Sequence, residues 1–299
     1  MISAIRTENL SKRFRGATAL DGLNLDVPAG SIYALVGANG AGKTTAIKVL
    51  MNIFRPTNGY SEVLQNDSRR LRAHHFTQIG YVSESQELPE WMTVGYFLKY
   101  ISAFYPSWDR SLETELVNQL QLPLDRKLRQ LSRGMRMKAA LASSLAYRPK
   151  LIVLDEPFTG LDALVRDELI EGLLARAEDT TIFISSHDLA EIESFASNIG
   201  YLDQGKLRFS EDLESLSGRF REIVLTFDAA PSMPNEWPEA WLQPESAGPV
   251  VRFVDSLFDE NGAGAKVRSL FPACRDMAVN GMPLRSIFVA LAKAGRAGD

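Results

Sequence analysis

Cysteine is nearly absent from this chain. Cys274 is alone among 299 residues, so neither an intrachain disulfide nor a thiolate metal cage can form, which fits a reducing compartment. Cys274 itself reads as a small filler side chain. Histidine is almost as scarce, and His74 and His75, beside Arg69, Arg70 and Arg72, read as a solvated face. No run of about 18 apolar residues occurs, the length a membrane-crossing helix needs; the uncharged stretch from Val27 to Gly42 is interrupted by Pro28, Gly30, Gly37, Gly40 and Gly42. Met1 to Leu10 carries Arg6 and Glu8 where a secretory leader requires an apolar core, so secretion is not expected. Any work at a membrane then needs a separate anchor. An excess of basic residues is missing as well: the net charge is -4, which removes the bulk footprint of a nucleic-acid binder and leaves room only for a local patch.

What is present is the ordinary balance of a globular protein, 45% hydrophobic and 23% charged, which excludes collagen, coiled-coil rods and general disorder. At roughly 100 to 200 residues per domain, the length predicts two domains, the first with a sizeable core.

Leu23, Leu25 and Val27 alternate with polar neighbours and read as a half-buried strand. After Pro28-Ala29-Gly30 turns the chain, Ile32 to Val36 is a continuous apolar run, the pattern of a strand covered on both faces. It leads into Gly37-Ala38-Asn39-Gly40-Ala41-Gly42-Lys43-Thr44-Thr45, the G-x-x-x-x-G-K-[ST] phosphate loop. Ala46, Val49, Leu50 and Ile53 then recur at helical spacing until Arg55-Pro56. A chain that wraps a polyphosphate must turn backbone N–H groups inward, and side chains at Gly37, Gly40 and Gly42 would obstruct the approach. The helix starting near Lys43 adds its N-terminal partial charge. Lys43 can reach the β- and γ-phosphates, the Thr44 hydroxyl can ligate Mg²⁺, and Asn39, Ala41 and Thr45 are left to backbone contacts.

Leu151 to Leu154 is a second apolar run that ends on Asp155-Glu156, which puts two carboxylates at the C-terminal end of a buried strand. Open α/β sheets carry their chemistry there. Asp155 is placed to hold Mg²⁺ and Glu156 to orient and deprotonate an attacking water. Alternatively, a helix or turn simply starts here with acidic residues suited to its dipole. A third strand-like run, Thr181 to Ser185, is followed by Ser186-His187-Asp188, so His187 sits just past a strand end, where an imidazole can reach a γ-phosphate or its attacking water.

Together these residues resemble the nucleotide-binding subunit of an ABC transporter. Leu131-Ser132-Arg133-Gly134-Met135 resembles the family's LSGGQ signature, Leu151 to Glu156 its Walker B strand, Gly160-Leu161-Asp162 its D-loop and His187 its switch histidine. All occur in family order across Ile5 to about Ser215. Lys12-Arg13-Phe14 resembles the segment whose aromatic ring stacks on adenine, against the plainer reading of Phe14 as a core residue. The resemblance implies an α/β P-loop NTPase of ABC type over residues 1–216, with a helical subdomain at about 85–147. It also implies ATP and Mg²⁺, and a homodimer or heterodimer of cassettes facing each other head to tail. In that dimer Ser132 and Gly134 touch the nucleotide held by the partner, and Asp162 lies at the same interface. With no span in this chain, the resemblance implies a separate membrane-spanning permease driven from the cytoplasmic face, and the type suggested is an exporter.

Three positions depart from the pattern. Arg133 replaces the signature's first glycine and Met135 its glutamine, a form similar to the Ser-Lys-Gly-Met of some exporter ATPases; Glu84 stands at the place of the Q-loop glutamine, where a carboxylate can still take metal or water but lacks the amide donors. A soluble, non-transport ABC ATPase acting on nucleic acid, ribosomes or protein assembly is the alternative function, although such chains often carry two cassettes or a long coiled-coil insertion. A P-loop kinase would leave Leu131 to Met135 and His187 without a purpose.

Phe97, Tyr100, Phe104 and Tyr105 have the spacing of one helix face and either pack the helical subdomain or line a groove for a membrane partner's helix. Ile199 to Asp203 and Leu207 to Phe209 read as a hairpin through Gln204-Gly205. Residues 217–299 form a small α+β accessory domain in this reading. Its strands are Glu222 to Phe227 and Val250 to Asp255, its helices Gly262 to Leu270 and Leu284 to Ala294, and the proline-rich stretch from Pro231 to Pro249 is turn or loop.

Overall fold

Every residue of Ile32–Val36, Leu151–Asp155 and Thr181–Ser186 is buried, the signature of strands covered on both faces of a parallel sheet. The computed structural model, which describes residues 2–234 and 236–297, pairs them that way. The sheet runs in the order Lys206–Asp212, Asn198–Asp203, Ile32–Val36, Thr181–Ser186, Leu151–Asp155, Ile79–Ser83. Its register sets Val36 opposite Ser186, Asp155 opposite Ser185, and Ser83 opposite Asp155. The C-terminal ends of these strands therefore form one edge. The expected hairpin is part of this sheet: Gln204 and Gly205 both have positive φ, as a two-residue turn requires.

A second, antiparallel sheet is organised by the long strand Ser3–Phe14, which pairs with Ala17–Leu23, Asp26–Pro28 and Asn58–Val63. Leu23, Leu25 and Val27 are all buried, but they do not share one strand. The chain breaks between Leu23 and Asp26 because the Thr7 hydroxyl donates to Leu23 O and accepts from Leu25 N, both at 2.8 Å. The helix Lys43–Leu50 joins the two sheets: Ala46, Ile47, Val49 and Leu50 belong to one core with Ile5, Leu23 and Val27 from one sheet and Leu35, Val153 and Phe183 from the other. Helical spacing extends to Ile53 in the sequence, yet the helix stops at Leu50; Asn52 takes a left-handed φ of 56° and Ile53 is exposed.

Between the sheet strands Ile79–Ser83 and Leu151–Asp155 lie three helices, each opened by a side-chain cap that satisfies free amides. Thr93 caps Val94–Ser102, Asp109 caps Arg110–Gln119, and Ser132 caps Arg133–Leu145. The aromatic residues do not share one helix face, because the helix ends at Ser102 ahead of Phe104, Tyr105 and Pro106. Phe97 is buried, Tyr100 and Phe104 are exposed and meet edge to face, and Tyr105 stacks on Tyr147 at 3.8 Å. Tyr147 in turn donates its hydroxyl to Ile79 O at 2.9 Å.

The chain divides into two compact units, Met1–Ser210 and Glu211–Asp299. The second has an antiparallel sheet in the order Trp241–Ala247, Val250–Asp255, Arg221–Thr226, Asp276–Gly281, with helices Leu213–Arg219, Ala263–Leu270 and Leu284–Ala297. Two of these strands correct the sequence reading. Trp241–Ala247 contains Pro244, which pointed to a loop, but it is an edge strand with a register break between Leu242 and Glu245, and both settings tolerate a missing N–H. Asp276–Gly281 is an edge strand with little burial, so it carries no alternating pattern. The core here is aromatic: Trp241 stacks on Phe253 at 4.2 Å, and Trp237 meets both Phe253 and Phe271. Asp255, also buried, accepts from Trp241 Nε1 and Leu257 N. Phe253→Ala should cost this unit about 3–5 kcal/mol, seen in urea as an earlier tryptophan-fluorescence transition; an unmoved transition would contradict a core built on that stack.

Candidate functional site

The sheet edge defined by the parallel register gathers the phosphate loop, Asp155-Glu156 and His187. Val36 delivers the chain into Gly37–Gly42, and close approach decides two of its residues. A Cβ on Gly37 would lie 2.2 Å from Leu202 O, and one on Gly42 would lie 2.4 Å from Ala19 O at a φ of +112°. Ala38, Asn39 and Gly40 face outward, whereas Ala41 is buried. The helix beginning at Lys43 follows at once, so its unpaired N-terminal amides lie beside the loop.

Lys43 is only 5% exposed. Its Nζ donates to Gly37 O at 2.6 Å and to Ala38 O at 3.2 Å, and it forms an ion pair with Glu156 Oε1 at 3.0 Å. The other carboxylate oxygen of Glu156 lies 2.7 Å from His187 Nδ1 and accepts from the Thr159 hydroxyl at 3.2 Å. Burial pushes the Glu156 carboxyl toward the neutral form, but hydrogen bonds and charge from His187 and Lys43 outweigh it, and the pKa falls below the ordinary value. Glu156 also has a positive φ of 51°, a conformation uncommon for a non-glycine residue and typical of functional sites. It is thus held as a carboxylate between the Lys43 ammonium and the His187 imidazole.

Asp155 lies in a different environment one residue earlier. Its Oδ1 accepts from Thr44 Oγ1 at 3.0 Å and from Ser185 Oγ at 2.8 Å. Burial raises its pKa, and the neighbouring Glu156 charge adds to that, against the two hydroxyl donors. Ser185 also accepts from Glu156 N at 3.0 Å. Ser185 and Thr159 had no role in the sequence reading. The signal for Ser185 is its register with Asp155, which only strand pairing reveals.

A second group lies on two packed helices. Ser132 accepts from Met135 N at 3.2 Å and caps the signature helix, which begins at Arg133. Asp162 caps the helix Ala163–Leu174 by accepting from Val165 N at 3.0 Å. A Cβ on Gly134 would lie 2.7 Å from Val165 Cγ1, and Lys138 pairs with Glu168, so the two helix starts are packed against each other. Glu84 donates its backbone N–H to Asp155 O at 3.0 Å, while its carboxylate meets Arg133. Phe14 is 43% exposed, edge-on to Phe54 at 5.5 Å with Lys12 Nζ 4.9 Å from its ring centroid. It is not a core residue.

The family model for ABC transporters matches residues 20–159. The chain is 31% identical over 228 residues to the ABC transporter ATP-binding protein YtrB of Bacillus subtilis, covering 75% of this chain and 77% of that one. It is 32% identical over 224 residues to the bacitracin transport ATP-binding protein BcrA of Enterococcus faecalis, covering 74% and 73%. Among solved structures, the fold is similar to the ATP-binding cassette MJ0796 in a dimeric, post-hydrolysis state bound to ADP and Pi, with a TM-score of 0.64, 23% identity, and coverage of 70% of this chain and 98% of that one.

Ser185→Ala would leave a buried amide and a buried carboxylate each short of a partner, at a cost of about 1–3 kcal/mol. The urea midpoint should fall with an unchanged slope; an unaltered midpoint would contradict the bridging role.

Proposed function

The chain belongs to the ABC transporter family of ATP-binding proteins and hydrolyses ATP, and from that premise we propose that it is the motor subunit of an exporter, closing as a dimer on nucleotide to drive a separate membrane-spanning permease. The observation that carries this reading is the Lys43–Glu156–His187 chain of contacts at the sheet edge, with separations of 3.0 and 2.7 Å. It supports an assignment in which Lys43 and the amides of Gly37, Asn39, Gly40, Ala41 and Gly42 bind the phosphates, Thr45 adds a backbone contact, and Glu156 accepts a proton from the attacking water. His187 orients that water and the γ-phosphate from the neighbouring strand end.

The donors fit Mg²⁺. Thr44 and Asp155 offer hard oxygen ligands 3.0 Å apart, and among the described residues no cluster of three or more metal-ligating side chains occurs. That suits an ion held by few protein oxygens together with phosphate, rather than by an all-protein cage. Bound there, the ion would supply positive charge to offset that of the phosphates. Glu84 is left out of this assignment because Arg133 holds its carboxylate.

Ser132 and Gly134, with the helix N-terminus they open, are assigned to the nucleotide of the facing cassette, and Asp162 to the same interface. The partner cassette is a second copy or a sister chain; that a cassette of similar fold is dimeric supports pairing of two cassettes. Phe14 stacks on adenine. Transport is supported by the bacitracin transport relative, and export is the direction we propose. Among the described residues no helix is long and apolar enough to cross a membrane, so the permease is the proposed means of attachment to the inner face of the cell membrane. No nucleic-acid partner is assigned. Residues 1–216 are the proposed nucleotide domain and 217–299 the accessory domain.

Glu156→Gln should lower the turnover of Mg²⁺-ATP by about 10²- to 10⁴-fold, the usual worth of a general base, while an ATP-bound dimer accumulates on size exclusion. Full turnover, or a monomer at saturating ATP, would refute the assignment. Phe14→Ala should weaken binding of a fluorescent ATP analogue by about 5- to 150-fold, the range of one base–aromatic stack, whereas an unchanged affinity would remove Phe14 from the site.

A further inference from the structure

Two of the three positions at which the sequence departs from the motifs it resembles are the two ends of one ion pair: Arg133 Nη2 lies 2.5 Å from Glu84 Oε1. Each end is fixed to a different part of the site. Glu84 follows the strand Ile79–Ser83, and its N–H donates to Asp155 O at 3.0 Å, so its backbone is tied to the strand end that carries Asp155 and Glu156. Arg133 is the first residue of the helix that Ser132 caps, and Gly134 follows it in contact with Val165. The guanidinium also lies over Gly160, with Nη1 2.9 Å from where a Cβ on that residue would be, so it spans toward the loop that leads to Asp162.

The electrostatics explain why neither charge is neutral in isolation. A cation in the first turn of a helix opposes the helix dipole, and an anion there is favoured. Arg133 alone would therefore weaken the start of its helix. Glu84 at the same point answers both the guanidinium and the dipole. Conversely, Glu84 alone would leave an unpaired negative charge on the turn that follows the strand Ile79–Ser83, and Arg133 offsets it. The pair is 45% and 41% exposed at its two ends, so salt can reach it.

We propose that Glu84 and Arg133 form an electrostatic clasp that positions the Ser132–Gly134 segment relative to the Asp155-Glu156 strand end of the same chain. Both are positioning residues for ATP hydrolysis. The clasp rests on the function proposed above: one cassette's signature segment and its own hydrolytic carboxylates act in different pockets of the dimer, and the clasp makes their separation a property of the single chain. Its effect falls on the turnover step, because nucleotide is first held by the phosphate loop and the clasp sets how the Ser132–Gly134 segment meets the facing nucleotide once the dimer has closed.

The test uses the full chain in four forms: wild type, Glu84→Gln, Arg133→Gly, and the charge swap Glu84→Arg with Arg133→Glu. Each single substitution should lower kcat by about three- to fivefold, the upper range for a partly exposed pair, with KM for ATP unchanged, and the swap should return kcat to within about twofold of wild type. Raising NaCl from about 0.05 to about 0.5 M should reproduce the loss in wild type and in the swap but leave the single variants unmoved. A swap no better than the singles, or a salt response equal in all four, would overturn the clasp. Amide hydrogen exchange of residues 132–137, measured without nucleotide, reads the same contact independently of catalysis: exchange should quicken in both single variants and slow again in the swap, and equal exchange in all four would overturn the clasp. A wild-type chain that hydrolyses no ATP would instead refute the proposed function, and the exchange comparison would still decide the clasp.

Discussion

The parallel register of the central sheet is the constraint from which the site follows. Setting Val36 against Ser186 and Asp155 against both Ser83 and Ser185 brings four connections out at one edge, although they are far apart along the chain. The phosphate loop, the Glu84 turn, the two carboxylates and His187 are neighbours for that reason. A slip of one residue in any of these pairs would turn a functional side chain to the opposite face. The apolar runs that make the strands are therefore also what aligns the chemistry.

Within this frame, burial is matched by partners. Lys43 and Glu156 are 5% and 10% exposed at their side chains, a setting in which a lone charge is strongly disfavoured. Each is answered: Lys43 by Glu156 and two loop carbonyls, Glu156 by Lys43, His187 and Thr159. Among the described residues, the hydrogen-bond donors to the Asp155 carboxyl are neutral hydroxyls, Thr44 and Ser185. The two adjacent carboxyls are consequently pushed in opposite directions, Asp155 upward and Glu156 downward. Environments that separate neighbouring acids in this way are a means of giving them different tasks.

The helical segment is connected to that frame by contacts of another kind. Gly134 against Val165 and Lys138 with Glu168 lock the helix starting at Arg133 onto the helix starting at Ala163. Close packing at a glycine leaves little freedom for sliding, and an ion pair whose lysine end is buried favours one register. The caps Ser132 and Asp162 thus share a rigid pair of helices, which suits residues assigned to one interface.

Much of the site was legible because its chemistry needs residues close together in the chain. Gly37 to Thr45 is a continuous stretch, Asp155 and Glu156 are adjacent, and His187 follows an apolar run. Local repetition likewise revealed the strands with both faces buried. What the amino-acid order left undecided depended on partners distant in sequence. Ser185 matters through its pairing with Asp155, Phe104 and Tyr105 left the expected helix face because the helix ends at Ser102, and Pro244 became compatible with a strand once it lay at a sheet edge beside a bulge. The same is true of the Glu84–Arg133 contact, whose ends are 49 residues apart. Motif chemistry is encoded by neighbours along the chain, whereas hydrogen-bond partners, strand edges and charge pairs exist only after folding brings separate segments within a few ångströms.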